Sequence, residues 1–305
     1  MRSLLIGSLM LAAQSALGHT PGETIGSAWN FEPEVVLPLL LTVTAYIAGI
    51  RHLQHQGIRR RIVSSGRCSA FALGVLALIA ALMSPLDMFA EFLFSAHMTQ
   101  HLMLMLVAPP LLILGRIEVV LLWTFPLPLR RLIGQSWRKA TRLRFTIDLL
   151  SRPVSVWLLA STAMWFWHIS GPYAWAFYNP YIHILEHLSF FLTSLAFWAL
   201  ALRPFSRDKS GHGIALLLLI TFALESSLLG ALLVFAGHPL YVVHTAQISR
   251  QLPYFLADIS PLQDQQLAGL IMWIPAGLVQ MAALVAVFAD LLSIPQNRRT
   301  GSLES

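Results

Sequence analysis

Residues 93–114 read LFSAHMTQHLMLMLVAPPLLIL. The stretch contains no Lys, Arg, Asp or Glu, and its length matches the roughly 20 residues that an α-helix needs to cross about 30 Å of hydrocarbon. Its apolar residues run continuously instead of alternating at every second position, which argues against a strand of a membrane barrel. The sequence therefore predicts a membrane-spanning helix that carries two histidines. Because proline removes a backbone donor, Pro109-Pro110 should kink or break this helix.

Six further apolar stretches, each with at most one charged residue, have the same character. They lie at 35–51, 68–84, 154–170, 181–202, 212–236 and 267–292. Over the 305 residues, 56% are hydrophobic and only 11% are charged, against about 25% charged in soluble domains. This composition excludes an ordinary soluble enzyme, a disordered chain and a coiled coil. The fold class predicted is all-α, a polytopic membrane protein with seven transmembrane helices.

The positive charges predict the orientation of these helices. Seven spans place the connections 51–67, 115–153 and 203–211 and the C-terminal tail on one side, and these hold 18 of the 20 Lys and Arg residues. Positively charged loops stay in the cytoplasm. We therefore expect the N-terminus outside and the C-terminus in the cytoplasm. This placement accounts for the net charge of +6 without a nucleic-acid partner.

The chain divides into four parts around this membrane domain. Residues 1–18 have the short apolar core and the Ala16-Leu17-Gly18 ending of a signal peptide. Residues 19–34 form a short outer segment, 35–292 the seven-helix domain, and 293–305 a cytoplasmic tail. The connection 115–153, with its spaced arginines and tryptophans, is expected to lie along the inner lipid headgroups. Cys68 is the single cysteine, so no internal disulfide can form.

Histidines are concentrated at the outer ends of three predicted spans. His97 and His101 lie four residues apart, as do His183 and His187, so each pair shares one face of its helix. His168 reaches the same depth from a helix that runs the opposite way. Ionisable residues inside spans usually face the bundle interior and serve function. Because neutral imidazole is the commonest protein metal ligand, the five histidines predict a metal site on the outer side.

The neighbouring residues favour copper as the metal. Met98 and Met164 could add thioether sulfur, which favours Cu(I). Asp87, Glu186 and Asp264 are candidates to orient the ligating imidazoles and the mouth of the site from outside the ligand set. If the signal peptide is removed, His19 becomes the N-terminal residue and offers a further imidazole and an amine.

Other chemistries remain open at this point. Residues 183–187 match the His-x-x-Glu-His motif of inverted zinc peptidases, although a motif with three fixed positions often occurs by chance. A single b-type haem could sit between paired histidines, lined by Trp165, Trp167 and Trp175. A copper channel would need successive sites through the bilayer, and the inner halves of these helices lack a histidine ladder. A scaffold that binds no metal is the fourth alternative.

Several motifs resemble those of one family. They are Ser84-Pro85-Leu86-Asp87, FSAHMTQH at 94–101, APPLL at 108–112, Trp167-His168, LEHLS at 185–189, and DQQLAGLIMWIP at 264–275. Together they resemble the signature of CtaG-type cytochrome c oxidase assembly factors and extend over most of the helical core. By motif match, the resemblance implies that His97, His101, His168 and His187 are functional. His183 and His19 rest on spacing and topology alone.

The resemblance also implies a role. A CtaG-type protein would be a multi-pass protein of the bacterial inner (plasma) membrane that matures a haem-copper oxidase and is not an enzyme. Combined with the histidine pattern, the expected function is to bind copper, as Cu(I), at a site facing the periplasm and to pass it to the oxidase. Expected partners are cytochrome c oxidase subunits, the lipid bilayer and a periplasmic copper donor.

Overall fold

The computed structural model describes residues 29–202, 209–241 and 259–293, which form helices without any strand. The all-α prediction is confirmed for these ranges. The signal peptide, His19 and the last part of the cytoplasmic tail lie outside the described residues, so the predictions made for them stay predictions.

The helices follow one another with short connections. In chain order they are α1 (Pro33–His55), α2 (Arg59–Ile62), α3 (Ser65–Leu82), α4 (Pro85–Phe92), α5 (Phe94–Leu102), a π-helical turn (Met103–Val107), α6 (Ala108–Leu114), α7 (Ile117–Trp123), α8 (Leu127–Lys139), α9 (Thr141–Leu150), α10 (Pro153–Trp167), α11 (Ser170–Tyr178), α12 (Pro180–Leu202), α13 (Lys209–Phe235) and α14 (Pro261–Leu292).

Among the described residues, six segments are long and apolar enough to cross a membrane. They are α1, α3, the continuous segment Phe94–Leu114, α12, Gly211–Phe235 within α13, and α14. The predicted span at 154–170 corresponds to α10, which is regular for only 15 residues. Large apolar side chains such as Leu217, Leu224 and Leu278 are exposed along these helices. Exposed apolar faces of this length suit contact with lipid.

The last helix begins six residues earlier than the sequence predicted. Ser260 accepts a hydrogen bond from the backbone N–H of Gln263, whose side chain accepts one from the Ser260 N–H, and Pro261 occupies the first turn. This capping box starts the helix before the apolar run does. Asp264 and Gln265 therefore lie on the first turns of α14, buried in the protein, and not in a loop.

The predicted break near Pro109-Pro110 is present as a π-helical turn at Met103–Val107. In a regular helix the N–H of residue 109 would bond to the carbonyl oxygen of Met105, but proline has no N–H. The indole N–H of Trp198 on α12 donates to that oxygen instead, at 2.9 Å. The interruption thus ties the helix of the first histidine pair to the helix of the second.

Replacing Trp198 with phenylalanine is expected to lower the stability of the protein by about 1–3 kcal/mol, because the Met105 carbonyl loses its donor in a buried site. Thermal unfolding in detergent measures the change. Trp157→Phe is the matched control, because the Trp157 indole N–H is buried without a hydrogen-bond partner among the described residues. Equal destabilisation by the two variants would show that ring packing, and not the hydrogen bond, is lost.

Helices α13 and α14 pack closely at a pair of glycines. A Cβ at Gly269 would lie 2.7 Å from the carbonyl oxygen of Gly230, and one at Gly230 would lie 2.9 Å from the carbonyl oxygen of Gly269. Small residues let membrane helices approach at this distance. The contact positions the N-terminal turns of α14, which hold the start of α5 in place.

Candidate metal centre

The two histidine pairs converge. The ring centroids are 4.2 Å apart in His97–His101 on α5 and 4.2 Å apart in His183–His187 on α12. Between the helices, His97 lies 5.5 Å from His183, and His101 lies 5.2 Å from His187. The predicted convergence of these four imidazoles is therefore present, at the N-terminal ends of two packed helices.

His168 joins the cluster from the end of α10. Its ring centroid lies 6.4 Å from that of His101. Its Nδ1–H donates to the carbonyl oxygen of Met164 at 2.6 Å, and its Nε2 lies 3.4 Å from the sulfur of Met98. Of the two predicted methionines, Met98 thus presents sulfur to the cluster, whereas Met164 presents its backbone carbonyl. The Met164 side chain is buried in the apolar core with Trp167 and Phe190.

Glu186 lies inside the cluster and not behind it. Its side chain is 1% exposed, and one carboxylate oxygen lies 3.8 Å from Nε2 of His101. The sequence predicts a residue that orients the ligands, and this position would also let the carboxylate bind a metal ion directly. Two groups have donor atoms that all lie within 4.8 Å of one another, namely His97–His183–His187 and His97–His101–Glu186.

Several polar atoms of the cluster have no hydrogen-bond partner among the described residues. They are Nε2 of His183, Nε2 of His187, both ring nitrogens of His101 and both carboxylate oxygens of Glu186. Buried polar groups are nearly always satisfied in native proteins, because an unpaired one costs free energy. A cation bound by these atoms would satisfy them together, so the donor set fits a metal ion.

Asp264 and Asp87, the other two acidic residues named from the sequence, hold parts of the helices in place. Asp264 accepts hydrogen bonds from the backbone N–H groups of Phe94 and Ser95 and from the Ser95 hydroxyl. It thereby caps the N-terminus of α5, one turn before His97. Asp87 accepts from the amide of Gln100 at 2.6 Å. Asp264 therefore holds the backbone of α5, and Asp87 holds Gln100, which is next to His101 in the sequence.

The second histidine helix has a comparable cap. The side-chain oxygen of Asn179 accepts hydrogen bonds from the N–H groups of Tyr181 and Ile182 at the start of α12. Further along α12, the Trp167 indole N–H donates to the Ser189 hydroxyl, which donates to the carbonyl oxygen of Glu186. These bonds fix α10 against α12 beside the cluster.

Aromatic residues that the sequence did not indicate cover the cluster. The Tyr173 ring lies 5.3 Å from that of His97 and packs edge-on against Phe94. Tyr241 stacks on Phe94 at 4.3 Å, and its hydroxyl donates to the carbonyl oxygen of His168. Burial raises the pKa of the Tyr241 hydroxyl above its ordinary value, so it remains protonated and keeps this bond.

The fold and the cluster define a class: a multi-pass helical membrane protein with a buried, histidine-rich cluster that could hold a metal ion. Residues 44–293 match the family model described as cytochrome c oxidase caa3 assembly factor (Caa3_CtaG). The chain belongs to this family, which confirms the resemblance seen in the motifs and implies a role in assembly and not in catalysis. No curated protein and no solved structure matches the chain significantly.

Proposed function

We propose that this oxidase assembly factor binds copper, as Cu(I), at the histidine cluster and passes it to a cytochrome c oxidase subunit on the outer side of the bacterial inner membrane. The observation that carries the proposal is the convergence of five imidazoles from three helices. Within this cluster, polar atoms of His101, His183, His187 and Glu186 have no hydrogen-bond partner in the part of the chain that the structure describes. A haem-copper oxidase needs copper during its maturation. A metal site in a factor that assembles such an oxidase is therefore best explained as a site for that metal.

The proposed topology has seven crossings with the N-terminus outside. Since His168 at the end of α10 contacts Met98 near the start of α5, α10 and α5 run in opposite directions, as successive crossings would require. At 15 residues, α10 is about 22 Å long, so this crossing would depend on local thinning of the bilayer. The one-sided distribution of positive charge supports an orientation with the cluster at the periplasmic face.

The number of donors suits a carrier. His97, His101, His183 and His187 are the proposed copper ligands, and His168, Met98 and Glu186 lie next to them as alternates. Cu(I) takes only a few soft or intermediate ligands, so this set exceeds its needs. A surplus of donors within a few ångströms lets an ion exchange ligands stepwise, which favours release to a partner over permanent retention.

The proposal is tested by copper analysis of the detergent-purified full-length protein after anaerobic loading with Cu(I). We expect about one copper per chain in the wild type and almost none in His97→Ala/His101→Ala, because both ligand groups lose members. An absorption spectrum of the protein as purified accompanies the analysis. His55→Ala/His238→Ala is the matched control, since both of these side chains are exposed.

Three outcomes contradict the proposal. Equal copper in the double variant and the control would place the metal elsewhere. No copper in any sample would favour a scaffold without metal, in which replacing the histidines costs thermal stability alone. A Soret band that disappears in His97→Ala/His101→Ala would indicate a b-type haem between the paired histidines.

A further inference from the structure

The orientation of the His168 ring determines which of its nitrogens carries a proton. The carbonyl oxygen of Met164 can only accept, so Nδ1 of His168 must carry the hydrogen in their 2.6 Å contact. In the neutral ring, Nε2 then holds a lone pair and no proton. The Tyr241 hydroxyl binds the His168 carbonyl oxygen, which holds the backbone from which this ring projects.

The Nε2 lone pair is directed at a second acceptor. The sulfur of Met98 lies 3.4 Å away, and a thioether has no hydrogen to donate. Met98 is 1% exposed, so no bulk water separates the two atoms. Two acceptors cannot form a hydrogen bond with each other. Two lone pairs at this distance can, however, bind one soft cation between them.

We infer that Nε2 of His168 and Sδ of Met98 form a Cu(I)-selective position beside the imidazole cluster, with His101 as the bridging ligand. The inference rests on the proposed function, and it names the end of the site that offers a soft sulfur ligand. His101 lies between the two ends, because its Nε2 is 3.8 Å from Glu186 and its ring is 6.4 Å from that of His168. A carboxylate suits harder ions, whereas a thioether selects Cu(I).

The two ends therefore differ in the ions they accept. The group that contains Glu186 offers imidazole and carboxylate, which Zn²⁺ also takes. The position at Met98 rejects Zn²⁺, because thioether sulfur is a poor ligand for it. The alternative role of Met98 is apolar packing, because it also belongs to a buried cluster with Phe94 and Tyr173. The two roles predict different spectra.

X-ray absorption at the copper edge distinguishes them. All samples carry Cys68→Ser, which removes the single thiol of the chain, and are loaded with Cu(I) in detergent. We expect a sulfur shell around copper that disappears in Met98→Leu. The same substitution should weaken Cu(I) binding about tenfold, the effect of roughly 1.4 kcal/mol, and should leave Zn²⁺ binding unchanged.

Met103→Leu is the matched control, since Met103 is partly buried and packs against a different apolar cluster, that of Tyr46 and Leu104. Leucine conserves the volume of methionine, so both variants should fold, and thermal unfolding checks this. Copper without a sulfur shell, or a shell that survives in Met98→Leu, would overturn this inference and leave the imidazole site standing. Absence of copper in every sample would overturn the proposed function as well.

Discussion

Replacing Asp264 with alanine is expected to destabilise the protein by several kcal/mol and to lower its copper content. The carboxylate accepts hydrogen bonds from the backbone N–H groups of Phe94 and Ser95, and Asp264 is 1% exposed. Each buried donor left without an acceptor costs about 1–3 kcal/mol. The favourable interaction of a negative charge with the N-terminus of α5 is lost too. The first turn of α5 should then unwind, and His97 lies on the next turn.

Two variants separate the cap from other effects of the substitution. Asp264→Asn keeps one carbonyl oxygen that can accept part of these bonds, so its midpoint of thermal unfolding should lie between those of the wild type and Asp264→Ala. Asp148→Ala makes the same chemical change on the exposed face of α9 and should unfold as the wild type does. If Asp264→Ala and Asp264→Asn both unfold at the same temperature as the wild type, the cap does not support α5.

Helix α14 thus links one of the family motifs to the histidine cluster. In the DQQLAG motif, Asp264 caps α5, and Gln265 accepts a hydrogen bond from the backbone N–H of Leu240, which holds the segment that carries Tyr241. Gly269 allows α14 to approach α13. The motif therefore fixes the helix of the first histidine pair, the aromatic cover and the helix packing beneath them. None of its members belongs to the two groups of convergent donors.

Much of this arrangement could be predicted from the sequence, because it depends on regular periods. An uncharged run of about 20 residues indicates a spanning helix, and a spacing of four places two histidines on one face. The break of the third span follows from the chemistry of Pro109 and Pro110, which lack the N–H groups a helix requires. These rules act within one helix and need no knowledge of its neighbours.

The remaining features depend on contacts between helices that are distant in the sequence. Asp264 lies 170 residues from Phe94, and no local pattern indicates that one caps the other. Glu186 has the same spacing to its neighbours whether it faces the imidazoles or a polar partner, so its role inside the cluster could not be distinguished from a role behind it. Tyr173 lies on the short helix α11, and Tyr241 lies in the segment after α13. Neither carries a metal-ligand or charge pattern in the sequence that points to the cluster.

In cells whose own copy of the gene carries His97→Ala/His101→Ala, the oxidase is expected to lose most of its copper and its activity while the assembly factor remains in the membrane. His97 belongs to both groups of convergent donors and His101 to one of them, so no complete group remains to hold the ion. Copper and haem in the purified oxidase are measured together with the amount of the variant in the membrane. The oxidase should retain its haem, because the proposed defect concerns copper delivery alone.

The control His55→Ala/His238→Ala should support an oxidase with normal copper, because these exposed histidines lie outside the cluster. Extra copper in the medium supplies a second comparison. We expect oxidase copper to recover in part in the double variant, because a higher copper concentration compensates by mass action for the weaker copper binding of the assembly factor. A normal copper content in the double variant without supplementation would show that the histidine cluster is not a carrier site. Loss of oxidase haem along with copper would instead indicate that the protein acts on the stability of the oxidase subunits.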